Sequence, residues 1–325
     1  MGWGAALQMF LYLIKRLLYV IPVALSVSVV CFALVQLAPG DPLSAILPAD
    51  APADLIAQMK REYGMDKPLP VQYVLWLHKV VTGDLGTSIA TGRKVLDEVE
   101  AAIGNTFVLA LVASLIGFSI GAVLGGIAGY YQGSALDRIA TTLAIAGVSV
   151  PYYWLGMVLV ILFSVVLNWL PAMGAGPGGS GAWAWDWAHL RHLVLPAATL
   201  SVVPMGIVTR TVRAVVADIL NQEFVSALRA KGLRDRGVFA HVVKNAAPAS
   251  LAVVGLQLGY LLGGSILVET VFSWPGTGFL LNSAILVRDL PLLQGVILVL
   301  AMFFVLLNLL VDVVQTAIDP RIRRT

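Results

Sequence analysis

Residues 223–248, EFVSALRAKGLRDRGVFAHVVKNAAP, form one long polar and basic segment between two apolar stretches. The whole chain has 325 residues, of which 59% are hydrophobic and only 12% are charged. This composition lies well outside the range of soluble globular domains. In so apolar a chain, we expect a basic amphipathic loop of this length to dock against a partner.

Six stretches without charged residues predict the membrane spans. Crossing about 30 Å of hydrocarbon takes about 20 apolar residues. The stretches are residues 17–40, 101–136, 139–185, 193–209, 245–268 and 290–311. The second half of the third stretch is rich in Gly, Pro and Trp, so it is predicted to be a loop. The sequence therefore predicts an all-α integral membrane protein with six transmembrane helices.

The distribution of charge predicts the orientation of these helices. With both termini inside, the cytoplasmic parts hold 13 basic and 6 acidic residues, and the outer parts hold 8 basic and 12 acidic residues. The net charge is then +7 on the inner side and −4 on the outer side. Because cytoplasmic loops carry an excess of Lys and Arg, an N-in, C-in topology is predicted.

The spans divide the chain into four parts. These are an N-terminal segment with the first transmembrane helix (1–40), an outer helical region (41–100), a transmembrane core (101–316) with a cytoplasmic loop (214–245), and a cytoplasmic tail (317–325). We expect the first span to be retained and not cleaved as a signal peptide. Its apolar run is longer than the hydrophobic core of a signal peptide, and Pro39 makes the sequence around it a poor cleavage site. Residues 3–14 are too short to span: either they lie along the inner face, or Met9 is the true start.

The outer region is predicted to contain two short helices. The first begins at Pro52 and Asp54 and ends at Gly64. Pro70 opens the second, in which apolar side chains recur at helical spacing. Those side chains are Tyr73, Trp76, Leu77 and Val80. We expect both helices to lie on the membrane surface, and a substrate-guiding cap is the alternative interpretation.

Glycine recurs at every fourth residue in two of the spans. The positions are Gly117, Gly121, Gly125 and Gly129 in the second span, and Gly255, Gly259 and Gly263 in the fifth. Small residues on one face let helix backbones approach closely in lipid. The pattern predicts a tightly packed bundle and says nothing about what the protein binds.

Motifs for catalysis are missing from the sequence. There is no G-x-x-x-x-G-K-[ST] motif, so the chain has no P-loop for nucleotide phosphates. His189 and His192 have no Cys or carboxylate cluster beside them to complete a metal shell, and the lone Cys31 cannot form an intramolecular disulfide. The spans hold few ionisable residues, which argues against a proton-relay pump. The chain is therefore predicted to be neither an enzyme nor a metal-binding protein.

The polar segment itself is predicted to contain two helices. Residues Glu223 to Lys231 form the first, Gly232 ends it, and Asp235 starts the next. A solvated basic loop would also satisfy the positive-inside rule. The spacing of Ala227, Ala230 and Gly232 between basic residues instead favours a docking surface.

Over nearly its whole length, the chain resembles the permease subunits of the dipeptide, oligopeptide and nickel ABC importers. The run Ala227 to Gly232 resembles the "EAA" loop of ABC-importer permeases. Further matches, in order, are Arg16-Leu17-Leu18 with Pro22, Pro39-Gly40-Asp41-Pro42, Leu69-Pro70-Val71-Gln72-Tyr73, Gly83-Asp84-Leu85-Gly86-Thr87-Ser88, Pro151 with Trp154-Leu155-Gly156, Leu195-Pro196, Glu269 to Gly278 and Asp319 to Arg323. Single motifs of this kind also suit ordinary turns. Their common order and spacing carry the resemblance.

The resemblance implies a type I ABC importer permease in the cell inner membrane, with residues 41–100 in the periplasm. The implied partners are a second, paralogous permease, two ATP-binding subunits and a periplasmic or lipid-anchored substrate-binding protein, besides membrane lipid and without nucleic acid. No cofactor is expected in this chain, because the ATPase subunits would bind ATP and Mg. The family's coupling helices sit in a groove of the ATPase, which assigns contact roles to Glu223, Ala227 and Gly232 and supporting charge to Arg229 and Lys231.

The substrate pathway is expected along the third and fifth spans. Pro151, Tyr152 and Gln257 interrupt otherwise apolar helices, and such positions are tolerated where they line a cavity or pack within the protein. Simple kinks and interhelical hydrogen bonds are the alternative explanation. An ion-coupled secondary transporter is the alternative function. Relatives carry peptides, opines, glutathione or chelated nickel, and the sequence does not distinguish among these.

Overall fold

A computed structural model describes residues 3–37, 52, 54, 66–179 and 183–318. Over these residues the chain is built from α-helices, and its one β-type contact is a bridge between Thr87 and Lys94. The predicted helix from Pro52 to Gly64 lies almost wholly outside the described residues, as does the tail from residue 319 onward. The all-α class predicted from the sequence is confirmed.

Ten α-helices follow one another along the described chain. They are α1 (Trp3–Leu37), α2 (Leu69–Val81), α3 (Val95–Tyr130), α4 (Ala135–Ser149), α5 (Tyr152–Leu159), α6 (Trp187–Leu220), α7 (Glu223–Ala230), α8 (Asp235–Val271), α9 (Thr277–Val287) and α10 (Leu290–Ile318). A π-helical turn, Val160–Val166, extends α5, and a 3₁₀ turn, Pro177–Gly179, lies in the loop before α6.

Four of these helices, α3, α6, α8 and α10, are each long and apolar enough to cross a membrane. Helix α4 and the α5 segment through Val166 are together long and apolar enough for a further span, but they are bent by 101°, which fits either one broken span or a re-entrant loop. Helix α1 contributes a shorter apolar stretch, Leu18–Leu34. The count of six spans and the N-in, C-in orientation remain predictions.

Two span boundaries differ from the charge-free windows. The second window ran to residue 136, but α3 ends at Tyr130, because Gly133 turns the chain with a φ of 79° and Ser134 caps α4. In the third window α4 ends at Ser149, and Val150 before Pro151 is extended, as the residue before a proline prefers. A window defined only by the absence of charged residues does not detect a turn made of uncharged residues.

In the larger compact unit, residues 105–275 with 307–318 where the structure describes them, α3 and α6 pack in close contact. Each of four glycines in α3 lies against a backbone carbonyl oxygen of α6. A Cβ atom on the glycine would lie 2.8 Å from that oxygen for Gly117 and Ser201, 2.8 Å for Gly121 and Met205, 2.5 Å for Gly125 and Thr209, and 2.7 Å for Gly129 and Arg213. Only glycine permits so close an approach. The small-residue face predicted for the second span is thus confirmed. Gly255 and Gly259 of α8 are also buried.

Helix α4 reaches the same central helix through small residues. A Cβ on Gly206 of α6 would lie 2.5 Å from the carbonyl oxygen of Ala144, and one on Gly147 of α4 would lie 2.9 Å from the Val202 side chain. Helix α6 is the most buried of the four unbroken spans, with 61% of its most apolar window inside the chain. It is therefore the axis of this unit.

In the smaller unit, the described residues of 1–104 with 276–306, Asp289 joins two segments. This buried carboxylate accepts hydrogen bonds from the Ser88 hydroxyl at 2.5 Å, the Ala90 amide at 3.0 Å and the Leu292 amide at 3.1 Å. It therefore caps α10 and holds the loop that carries the Gly-Asp-Leu-Gly-Thr-Ser motif.

Helix α2 begins where the sequence predicted, at Leu69-Pro70. Its aromatic side chains Tyr73 and Trp76 lie 5.5 and 5.8 Å, centroid to centroid, from Phe32 of α1. The Tyr73 hydroxyl also lies 2.8 Å from the Ser28 hydroxyl. The apolar stripe of α2 therefore packs against α1.

The contact between α3 and α6 can be tested at two neighbouring glycines. Gly125→Ala places a methyl group against Thr209 and Val212, whereas a Cβ at Gly126 meets nothing within 4 Å. We expect Gly125→Ala to destabilise the protein by about 1–3 kcal/mol, because it overpacks the helix contact. Thermal unfolding in detergent measures the effect. Gly126→Ala should melt with the wild type, and equal stability of the two variants would contradict the close packing.

Candidate functional site

Helix α7 is held in place by one apolar face. Val225 is completely buried, and Phe224 and Leu228 are partly buried beside it. They pack on a cluster of side chains from α6 and α8, namely Val208, Val212, Val216, Ile219, Val238, Val242 and Ala246. An isolated helix of 8 residues is marginal in water, so this burial is what stabilises it.

The opposite face of α7 is open and built mainly of small residues. Ser226, Ala227 and Ala230 are exposed there. Glu223 lies in the first turn and Arg229 in the last turn, and both are exposed. This order of charges matches the helix dipole. The face offers a shallow apolar surface with one acidic and one basic end.

Gly232 ends α7 through backbone geometry. Its φ is 79°, its amide donates to the Arg229 carbonyl at 2.9 Å, and the Leu233 amide donates to the Leu228 carbonyl at 3.2 Å. These two bonds form a Schellman motif, in which the residue with positive φ is usually glycine. A Cβ at this position would meet nothing within 4 Å. Glycine is therefore favoured here by the backbone conformation and not by a clash with neighbouring atoms.

The next helix starts directly after this turn. Helix α8 begins at Asp235, as the sequence predicted. Lys231, which directly precedes Gly232, is exposed. Helix α8 then continues for 37 residues through Pro248 to Val271. The second half of the polar segment is therefore the first turns of a membrane span.

The three predicted pathway residues lie in different environments. Pro151 is exposed and precedes α5, and the half-buried Tyr152 packs against a cluster that includes Phe272 and Trp274. Gln257 lies on α8 and is only 6% exposed. Whether these residues line a pathway in an assembled complex remains a prediction.

The open face of α8 carries a residue that the sequence reasoning missed. Tyr260 is 71% exposed, and Leu256, one turn before it, is 64% exposed. Leu267 continues the same face. A tyrosine four residues after an apolar residue in a span was the available signal, but the sequence reasoning chose the polar Gln257, which lies on the adjoining, buried side of the helix.

A second missed feature is an ion pair between α4 and α6. The Arg213 Nε and Nη2 groups donate to the two carboxylate oxygens of Asp137 at 2.9 and 2.8 Å. The Gly133 amide and the Thr141 hydroxyl donate to the same carboxylate at 2.9 and 3.2 Å. The Asp137 side chain is 5% exposed and the Arg213 side chain 31% exposed.

The histidine pair in the first turns of α6 has local partners. The His189 Nδ1 atom lies 2.8 Å from both carboxylate oxygens of Asp186, and this hydrogen bond lowers the pKa of Asp186 below its ordinary value. His192 Nδ1 lies 2.8 Å from the Met173 carbonyl oxygen. Among the residues that the structure describes, no group of three metal-ligating side chains comes together.

Comparison with solved structures places this bundle in a known class. The inward-facing MetNI methionine ABC transporter matches with a TM-score of 0.56 and 16% sequence identity, over 68% of this chain and 96% of that chain. At this identity the match shows the fold alone, which is that of a type I ABC importer permease.

Sequence comparisons give the family. The family described as "Binding-protein-dependent transport system inner membrane component" matches residues 121–324, and the family described as "Binding-prot-dependent transport system membrane comp, N-term" matches residues 9–110. The chain belongs to this family of inner-membrane transport components. It is the permease subunit of a binding-protein-dependent ABC importer and a multi-pass inner-membrane protein.

Individual relatives match almost end to end. The dipeptide transport system permease protein DppB of Alkalihalophilus pseudofirmus is 37% identical over 333 residues, which cover 97% of this chain and 100% of that protein. The glutathione transport system permease protein GsiC of Pectobacterium atrosepticum is 39% identical over 313 residues, which cover 96% and 98%. These matches do not favour an ion-coupled secondary transporter.

Proposed function

We propose that this permease imports small peptides or a peptide-like solute such as glutathione. The relatives named for dipeptide and glutathione transport support this substrate class, because they match over nearly the whole chain. Both substrates combine an amino group, a carboxylate and at least one amide bond. Opines and chelated nickel remain the competing substrates.

We infer that the working complex contains a second, paralogous permease, two ATP-binding subunits and an external substrate-binding protein. ATP and Mg bind to the ATPase subunits in this proposal, since the sequence of this chain has no P-loop. The transport cycle then needs a surface through which ATPase movements reach the membrane helices.

Helix α7 is the proposed surface for that coupling. The proposal rests on the difference between the two faces of α7. Val225 packs the buried face against α6 and α8, while Ala227 and Ala230 are exposed on the other face. Small exposed side chains let another protein approach the helix backbone closely. Glu223 and Gly232 bound this face, and Arg229 and Lys231 supply charge beside it. A groove in the ATPase would receive the face.

The open face of α8 is the proposed side of the substrate pathway. Tyr260 presents a phenol from a span, which is costly against lipid unless its hydroxyl finds a partner. If this face of α8 lies toward the paralogous permease, water or a polar side chain at that interface would bind the Tyr260 hydroxyl. Pro151 and Tyr152 would then mark the bend of the neighbouring span.

Transport by the reconstituted complex tests the function directly. Proteoliposomes that contain both permeases and both ATPases are supplied with the binding protein outside and ATP at the ATPase side. We expect uptake of a labelled dipeptide or of glutathione that requires ATP and the binding protein. Uptake driven by a proton or sodium gradient without ATP would contradict the importer. ATP-driven uptake of an opine or a nickel chelate alone would contradict the substrate class.

Gly232 tests the coupling surface, with Gly83 as its matched control. The two glycines have φ values of 79° and 87° and open space where a Cβ would stand. Asn tolerates this conformation better than most residues, so Gly232→Asn chiefly adds bulk beside α7. We expect it to lower uptake by about tenfold, a barrier change of about 1.4 kcal/mol, and Gly232→Asp to lower uptake further. The assembled complexes should stay in the membrane.

Gly83→Asn carries the same kind of backbone change on a turn away from α7 and from the Asp137–Arg213 pair. Its uptake and its substrate-stimulated ATPase rate should equal those of the wild type. If Gly232→Asn and Gly232→Asp also keep both rates, α7 is an ordinary cytoplasmic loop and the coupling assignment is wrong.

Cysteine labelling tests the α8 face. Cys31 is the one cysteine in the sequence and is buried, so Cys31→Ala provides a cysteine-free background. In this background we expect Tyr260→Cys to react with a charged maleimide at a rate that changes with substrate and ATP. Val165→Cys, at a position that is 70% exposed, should show no such change, because it would face lipid. A rate at position 260 that ignores both ligands would place that residue outside the pathway.

A further inference from the structure

We propose that Asp137 and Arg213 are positioning residues that pass the displacement of α7 to helix α4. This inference rests on the proposed coupling role of α7. It goes beyond that role because it names the route by which movement leaves the coupling helix. The route runs from α7 to the end of α6, across the ion pair to α4, and so to the bend before Pro151.

The position of Arg213 links the pair to α7. Val212 and Val216, which flank Arg213 along α6, both belong to the apolar cluster that buries Val225 of α7. On the side of α3, a Cβ at Gly129 would lie 2.7 Å from the Arg213 carbonyl oxygen. Arg213 therefore stands where α3, α4 and α6 meet, next to the surface on which α7 is seated.

The geometry of the pair constrains α4 in two directions. Two parallel hydrogen bonds at 2.9 and 2.8 Å join the planar guanidinium to the carboxylate, and such bidentate pairs fix orientation as well as distance. The Gly133 amide binds the same carboxylate at 2.9 Å. The turn between α3 and α4 is therefore tied to the same point.

Stability alone is a poor explanation for this arrangement. The desolvation cost of a buried ion pair offsets much of its attraction, so replacing it by apolar residues is often neutral. Elsewhere α4 touches α6 through small or apolar side chains, with Gly147 against Val202 and Ala144 against Gly206. These contacts fix how closely the two helices approach. The ion pair adds a charged, directional contact at the α7 end.

The test measures transport per ATP hydrolysed in the reconstituted complex. Asp137→Asn keeps one oxygen that can accept from the Gly133 amide, and its new NH2 group can donate to the Thr141 hydroxyl. It removes the charge that binds Arg213. The neutral double variant Asp137→Asn with Arg213→Gln leaves no unpaired charge, so it should assemble even if the single variant does not. We expect both to hydrolyse ATP with a transport-to-hydrolysis ratio lowered by about fivefold or more, in the range of typical coupling energies.

Thr141→Val is the matched control. It removes one hydrogen bond to the Asp137 carboxylate and leaves the ion pair intact, so its transport-to-hydrolysis ratio should equal that of the wild type. A purely structural role of the pair would lower the amount of complex without changing this ratio.

Two results would overturn the proposal. One is a wild-type ratio in the assembled double variant, which would show that α4 follows α7 without the pair. The other is failure of the double variant to assemble, which would assign the pair to folding. Failure of the proposed function is distinguishable from both, because the wild-type complex itself would then show no ATP-driven uptake.

Discussion

The close contact between the glycines of α3 and the backbone of α6 is the constraint on which the larger unit depends. In lipid, apolar side chains gain little from touching one another instead of acyl chains, so helices associate through close packing and hydrogen bonds. Four glycines let the α3 backbone approach the carbonyl oxygens of α6 along four successive turns. Because α4 reaches the same helix at Gly206, the direction of α6 determines where both neighbours lie.

That direction also determines where α7 lies. Helix α7 follows α6 after a short turn and has too few residues to be stable alone. Its buried residue Val225 rests on the end of α6 and the first turns of α8. The open face with Ala227 and Ala230 is therefore presented at an angle that the membrane helices set. A shift of this face has to shift the ends of two spans.

Local signals in the sequence predicted the local features of this site. The start of α7, the turn at Gly232 and the start of α8 were predictable, because capping and positive φ depend on a few adjacent residues. The break before Pro151 was predictable for the same reason. Boundaries at uncharged turns, such as the end of α3 at Tyr130, were not, since no change in charge marks them.

Features that depend on helix rotation or on distant partners could not be predicted from the sequence. Gln257 and Tyr260 lie less than one turn apart, yet one is buried and the other is open, because neighbouring helices cover only one side of α8. Asp137 and Arg213 are 76 residues apart. In the sequence, Asp137 looks like an ordinary first-turn acid, and Arg213 looks like an ordinary basic residue beyond the end of a span. Only the packing of α4 on α6 brings them together.

The ion pair and the rest of the α4–α6 contact constrain the two helices in different ways. Gly147 and Gly206 let α4 and α6 lie close together, with the Val202 and Val148 side chains against the two glycines. The bidentate pair also fixes distance and angle. Since it lies at the end of the contact nearest α7, movement of α7 is imposed on α4 there. The bend at Pro151 then lets the α5 segment take a new direction without breaking the helices on either side.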